Sequence, residues 1–327
     1  MTRNAKFPLF SLPLLAIGEV MSSMDPFETI NFSLASSIGR RLAKVFSGSR
    51  RKFQLYLVVN ESLKVSIVDP SFRFWIIQIH NNRNQSCNRE INNKSRENTM
   101  PMFSENKIDA WKNIARMAKE VFNIQKASIV FYLDSFQTNR AITDFLNNLF
   151  TNYNSVAISG DNVAHEDVSY VLEKLKTEGN LNLDMEMRVY EKEVPLKIRN
   201  RLADLDIFFG EWIGLEELLQ FNALTISIVD NKLTTEALAT LLKRWMAFEC
   251  YENVKRFEIV INGQEDFNKI VGMVPHIIPD PERRIFRGEL HFPVHPGVDI
   301  RRKDGVLATI CTFQHFTGFL MVMKVHS

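Results

Sequence analysis

Three things that would fix a function class by themselves are scarce in this chain. Cysteine is the first: Cys87, Cys250 and Cys311 are the only ones, far apart, odd in number and without a CxxC pair. Neither a disulfide framework nor a zinc knuckle is expected from them, and a reducing compartment, cytoplasm or nucleus, fits best. Charge of one sign is the second. The 40 Lys and Arg nearly cancel 38 Asp and Glu, leaving +2, which gives no reason to expect a nucleic-acid partner. A long apolar run is the third. No stretch approaches the ~20 uninterrupted apolar residues of a membrane span. The segment from Phe7, with its basic lead of Arg3 and Lys6, looks at first like a secretion signal. Pro8 and Pro13 break the helix such a signal needs, and the run enters Gly18, Glu19 and Met24-Asp25 without a small-x-small cleavage site. No membrane and no nucleic acid are therefore expected as partners.

What is present is core material: 45% hydrophobic residues, among them 25 phenylalanines, in 327 residues. That is enough for one large domain, or for a small module followed by a larger one. The small module is legible first. Pro13 suits a first helical turn, and Leu14, Leu15, Ile17, Val20 and Met21 recur at helical spacing as far as Met24. In D-P-F-E, Asp25 caps a second helix, Pro26 takes its first position and Glu28 completes a capping box. Phe27, Ile30, Asn31, Leu34 and Ala35 form its stripe. Ile38, Leu42, Val45 and Phe46 mark a third helix whose other face carries Arg40, Arg41 and Lys44. Three helices this short cannot bury all that apolar surface among themselves, so something else must cover the remainder.

These residues resemble the F-box in its nematode-type form: the Leu12-Pro13 start, Val20, Met24-Asp25-Pro26 and the segment from Ile30 to Leu34 match its spacing, although Leu15 stands where many members carry an acidic residue. The resemblance implies docking on the Skp-type adaptor of a cullin-based (SCF) ubiquitin ligase, with Leu9, Leu12, Pro13, Leu14, Val20, Met24, Pro26, Phe27 and Ile30 as the adaptor-binding residues. The alternative is that the same residues pack against their own chain.

After the box the pattern changes. Residues 52–79 alternate or run apolar and β-branched, as strands joined by turns at Asn60-Glu61 and Asp69-Pro70. Residues 81–103 are rich in Asn, Arg, Ser and Glu and are expected to form a flexible loop. Ile108, Trp111, Ile114, Ala115, Ala118, Val121 and Phe122 fall on one helical stripe, and ASIVFYL at 127–133 is a short buried strand. A weak repeat of helix, break and strand follows. Its helices share apolar residues at i, i+1 and i+4: Phe145, Leu146, Leu149; Val171, Leu172, Leu175; and Leu241, Leu242, Trp245. Strands joined by helices imply right-handed crossovers and a mainly parallel sheet. The expected fold is α/β, a three-helix box over 1–50, linking strands over 51–80, the loop, then an irregular leucine-rich-like, solenoid-like β/α layer over 104–327 that closes in a β-hairpin.

Residues 224–261, with Thr234 capping a helix and Trp245 late in it, are similar to the nematode F-box-associated domain of type 2, as is DIRRKDGVLATI near the end. Together with the box, this resemblance implies a substrate adaptor that carries a target protein for degradation through protein binding. It implies no cofactor. Catalytic patterns do not compete with it. His276, His291, His295 and His315 crowd the last quarter, but the prolines of HFPVHP prevent one helical turn from presenting two rings, and no H-E-x-x-H occurs. No nucleophile elbow or phosphate-cradling glycine loop follows a strand. Cys250 lies beside aromatic residues with no neighbouring His or acid to activate it. The chain is expected to hold no metal and no catalytic residue. A stand-alone interaction scaffold with no ubiquitin role is the other reading, and a hydrolase would need a pocket where His or Cys meets an acid.

Overall fold

The computed structural model describes residues 11–47, 52–83, 88–187, 196–198, 201–277, 297–315 and 318–326. The fold is mixed α/β and divides into two compact units, Met1–Val130 with Asn148–Phe150, and Phe131–Asn147 with Thr151–Ser327.

The first unit begins with α1 (Leu14–Ser23), α2 (Pro26–Ala35) and α3 (Ser37–Ser47). Strands β1 (Gln54–Val59), β2 (Lys64–Val68), β3 (Phe74–His80), β4 (Glu90–Asn92) and β5 (Glu97–Phe103) follow, then α4 (Lys107–Val121) and β6 (Ala127–Tyr132). Within this unit the strand order is β6-β1-β2-β3-β5-β4. The first three strands form an antiparallel meander, with Leu57 opposite Val65 and Ile67 opposite Trp75. Alternate residues of the meander, Leu55, Leu57, Val65, Ile67, Ile77 and Ile79, are wholly buried. The helical stripe read from α4 packs as expected: Trp111, Ala115, Ala118 and Val121 are buried, and the Trp111 indole donates to the Lys64 carbonyl at 3.0 Å.

Residues 90–103 correct the expectation of a flexible loop over 81–103, of which 84–87 lie outside the described residues. Seven residues of β5 pair in parallel with β3, from Phe74 opposite Glu97 to His80 opposite Phe103, and β4 pairs with β5. Strand pairing is made by backbone groups, so a polar, Asn-rich segment beside an existing strand satisfies it without apolar side chains of its own.

The second unit contains α5 (Asn139–Leu149), β7 (Tyr153–Val163), α6 (His165–Lys174), β8 (Thr177–Met187), β9 (Leu202–Ile207), α7 (Leu215–Gln220), β10 (Ala223–Ile228), α8 (Thr235–Met246) and β11 (Arg256–Ile261). It ends in α9 (Gln264–Gly272), β12 (Val298–Arg301), β13 (Leu307–His315) and β14 (Gly318–Val325). Strands β7 to β11 lie side by side in sequence order, and each pair is parallel. This is the arrangement expected of repeated crossovers. Strand β14 then adds antiparallel to β11, and the last two neighbours complete a meander. Burial alternates along β9, β10 and β11, with Leu205, Ile207, Ile226, Ile228, Phe257 and Ile259 at most 1% exposed. The repeated helix positions Leu146, Val171, Leu241, Leu242 and Trp245 are likewise buried. Thr234 caps α8 as its sequence position predicts, accepting from the Ala237 N–H at 3.2 Å.

One side chain fastens the C-terminal hairpin to α8. Arg302, with 7% of its side chain exposed, donates to Asp304 from Nε (3.0 Å) and Nη2 (2.8 Å) and to the Glu252 carbonyl from Nη1 (2.9 Å). Its guanidinium lies 5.3 Å from the Trp245 ring centroid and 4.6 Å from that of Phe248. The turn it belongs to is made at Gly305, whose φ of 94° lies where a Cβ is disfavoured.

Candidate functional site

Each unit offers one candidate surface. In the first unit it lies on α1 to α3. Asp25 and Glu28 form the capping box read from the sequence: the Glu28 N–H donates to Asp25 Oδ1 at 3.0 Å and the Asp25 N–H to Glu28 Oε2 at 2.8 Å. Arg89 holds the cap from outside, its Nη1 2.8 Å from Asp25 Oδ2 and its guanidinium 5.1 Å from the Phe27 ring centroid. Helix α1 approaches α3 at Gly18, where an added Cβ would sit 3.0 Å from the Phe46 ring, so the close approach depends on the missing side chain. A cavity of about 270 Å³ lies among Met21, Met24, Pro26, Phe46, Phe53 and Phe122.

The residues named from the sequence as adaptor contacts divide sharply. Pro26, Phe27 (3% exposed) and Ile30 (0%) belong to the interior of the first unit, where α2 packs on α3, α4 and β3. Leu12, Val20 and Met24 are half-buried, and Pro13 and Leu14 are exposed. Leu9 lies outside the described residues. The helices meanwhile expose residues that were not named: Leu15 at 86%, Leu34 at 42%, Ile38 at 46% and Val45 at 63%, beside Leu14 at 65%. The signal for two of them was in the sequence. Ile38 and Val45 stand seven apart and so share a stripe, but Gly39 and Ala43, not these two, face the neighbouring helices. The five make up nearly half of the large apolar side chains exposed in the described residues, on three helices spanning 34 residues (14–47). Singly exposed apolar residues are ordinary on any protein surface; here they are concentrated on these helices.

In the second unit the polar, half-buried surface is the face of the parallel strands opposite the buried rows. Register places Ala157, Asn182, Asp206, Ser227 and Glu258 in one cross-strand row. Asn180, Asp204, Thr225 and Arg256 form the next. The face is polar and acid-rich, and its one basic member, Arg256, is ion-paired with Glu258. Partial burial pushes the Asp206 carboxyl above its ordinary range, and the neighbouring charges of Asp204 and Glu258 push it further.

The groups weighed for chemistry do not converge. His276 Nδ1 is 2.9 Å from the Val274 carbonyl; His291, His295 and the His315 side chain lie outside the described residues. Burial pushes the Cys250 thiol up to about 11 and the Cys311 thiol up to about 12, which keeps both protonated at neutral pH. Among the described residues no three His, Cys, Asp or Glu side chains gather as a metal would require, and no helix is long and apolar enough to cross a membrane.

Comparison with known families narrows the class: residues 195–259, which include β9, α7, β10, α8 and most of β11, match the family described as F-box associated. Proteins with this domain are generally linked to SCF substrate adaptors. No curated protein and no solved structure matches the chain.

Proposed function

We propose that this protein is a substrate-recruiting subunit of a cullin-type ubiquitin ligase. Helices α1 to α3 serve as its F-box and hold a Skp-type adaptor, and through it a cullin; the sheet of the second unit, read as a leucine-rich-like layer, presents a target protein. The observation that carries the reading is the concentration of exposed apolar side chains on α1 to α3, Leu14, Leu15, Leu34, Ile38 and Val45, in a chain whose residues 195–259 match the F-box-associated family. Burying exposed apolar area contributes roughly 25 cal/mol per Å², and a contact of at least ~1,000 Å² is the size expected of a stable partner.

In this reading the chain forms and breaks no bond itself and works in the cytoplasm or nucleus. Holding a target beside a charged ubiquitin carrier raises the effective concentration of one for the other, and the catalytic groups belong to other subunits. The test is co-purification with a recombinant Skp-type adaptor. Replacing Leu14 and Leu15 together by Ala is expected to abolish it while leaving the circular dichroism and thermal midpoint in place. Retention of the adaptor by that variant, or a wild-type chain that ignores the adaptor, refutes the proposal and leaves a stand-alone scaffold.

A further inference from the structure

The solvent stripe of α3 is not purely apolar. Ile38, Arg41 and Val45 stand at i, i+3 and i+7, so exposed Arg41 lies on the same side of the helix as two exposed apolar side chains, a turn from each. Arg40 is exposed beside it. Lys44, on the same helix, is held by Glu120 at 2.8 Å, but neither Arg40 nor Arg41 has a carboxylate partner among the described residues. A partner that buried Ile38 and Val45 would also strip water from Arg41, and an uncompensated guanidinium makes such a contact unfavourable. Whatever covers this stripe must bring an opposite charge to that point.

We infer that Arg41 pairs with a carboxylate at the rim of the apolar groove that receives α3, so that the occupant of this face, the Skp-type adaptor of the proposed function, is selected by charge as well as by greasy surface. This rests on the adaptor reading. Arginine suits the role because its planar fork meets a carboxylate with two parallel bonds while its stem still covers apolar surface. The pairing governs encounter and register, with the exposed apolar residues of the helices holding the complex once formed.

The test measures association and dissociation of the full chain on an immobilised recombinant Skp-type adaptor, at low and high ionic strength. Arg41→Glu is expected to slow association by about tenfold at low ionic strength, with the gap narrowing at high ionic strength. Arg41→Ala is expected to weaken binding less, and Leu14→Ala with Leu15→Ala to speed dissociation without changing the salt dependence. Thermal midpoints equal to wild type show that the variants fold; should Arg41→Glu not fold, Arg41→Gln serves in its place. Unchanged association of the Glu variant, or tighter binding by the Ala variant, overturns the inference while leaving the adaptor reading intact. A wild-type chain that does not bind the adaptor overturns both.

Discussion

Truncating Ile30 on α2 and truncating Leu15 on α1 should damage the protein in opposite ways, although both are apolar residues of the same three-helix segment. Ile30 is fully buried in the first unit, so Ile30→Ala loses the transfer free energy of the removed methyl and methylene groups and leaves a void, typically ~2–5 kcal/mol. Fully burying a Leu is worth ~1.5–3 kcal/mol. Leu15 is 86% exposed and so has about one-seventh of that to lose, ~0.2–0.4 kcal/mol. Against a domain stability of ~5–15 kcal/mol the first change is severe and the second negligible. In a two-partner contact the ranking inverts. An exposed anchor that becomes buried on binding costs ~1–2 kcal/mol or more when truncated, about a tenfold loss of affinity or greater. Urea denaturation followed by circular dichroism measures the first quantity, and equilibrium binding to the adaptor the second. If Ile30→Ala lowered stability by less than ~1 kcal/mol, or Leu15→Ala lowered it as far as Ile30→Ala does, the assignment of inner and outer faces would be wrong.

Other consequences are as direct. Arg302→Ala removes a charged hydrogen bond to the Glu252 carbonyl, ~1.5–3 kcal/mol, and two ring contacts of ~0.5–2 kcal/mol each, so a loss of ~2.5–7 kcal/mol is expected in urea unfolding, and a loss below ~1 kcal/mol would contradict the clamp. Asp206→Asn should raise the unfolding midpoint at pH 7. The Asp206 carboxyl titrates higher in the folded chain than in the unfolded one, so its ionised form is a burden above its folded pKa. The variant's advantage should shrink as pH falls through that range, and a pH-independent effect would refute the cause. Cys250, its thiol raised from 9.0 to about 11, should react with iodoacetamide at pH 8 about 100-fold more slowly than an unstructured cysteine, read by peptide mass spectrometry; an ordinary rate would mean the site is open to water.

Local chemistry was the legible part of this sequence. The Asp25-Pro26-Phe27-Glu28 box, the Thr234 cap, the meander of β1 to β3 and the turn at Gly305 depend on a few neighbouring residues, and reading them needed nothing distant. The parallel layer was legible from its strand and helix alternation. What failed to show was decided between segments far apart. Strand β5 exists because β3 lies beside it, a pairing that Asn and Glu side chains neither advertise nor forbid. The orientation of Ile38 and Val45 was hidden for a related reason. Periodicity says that two residues share a face but not which way the face points, and here the small Gly39 and Ala43 take the inner side of α3. Phe27 and Ile30 were expected as contacts because the resemblance implied it, and a motif match carries no more information about which way a residue faces; both are buried within the first unit.

Because β7 to β11 were laid down one after another, each beside its predecessor, the layer behaves like a row of books. A whole strand-and-helix volume can be added or withdrawn without unthreading those on either side, since no strand in the row is wedged between two that come later in the chain. Descendants of such a gene can lengthen or shorten the displayed surface by duplication, and exchange the outward letters on each spine, Asn180 to Glu258 among them, while the inward lettering keeps the shelf upright.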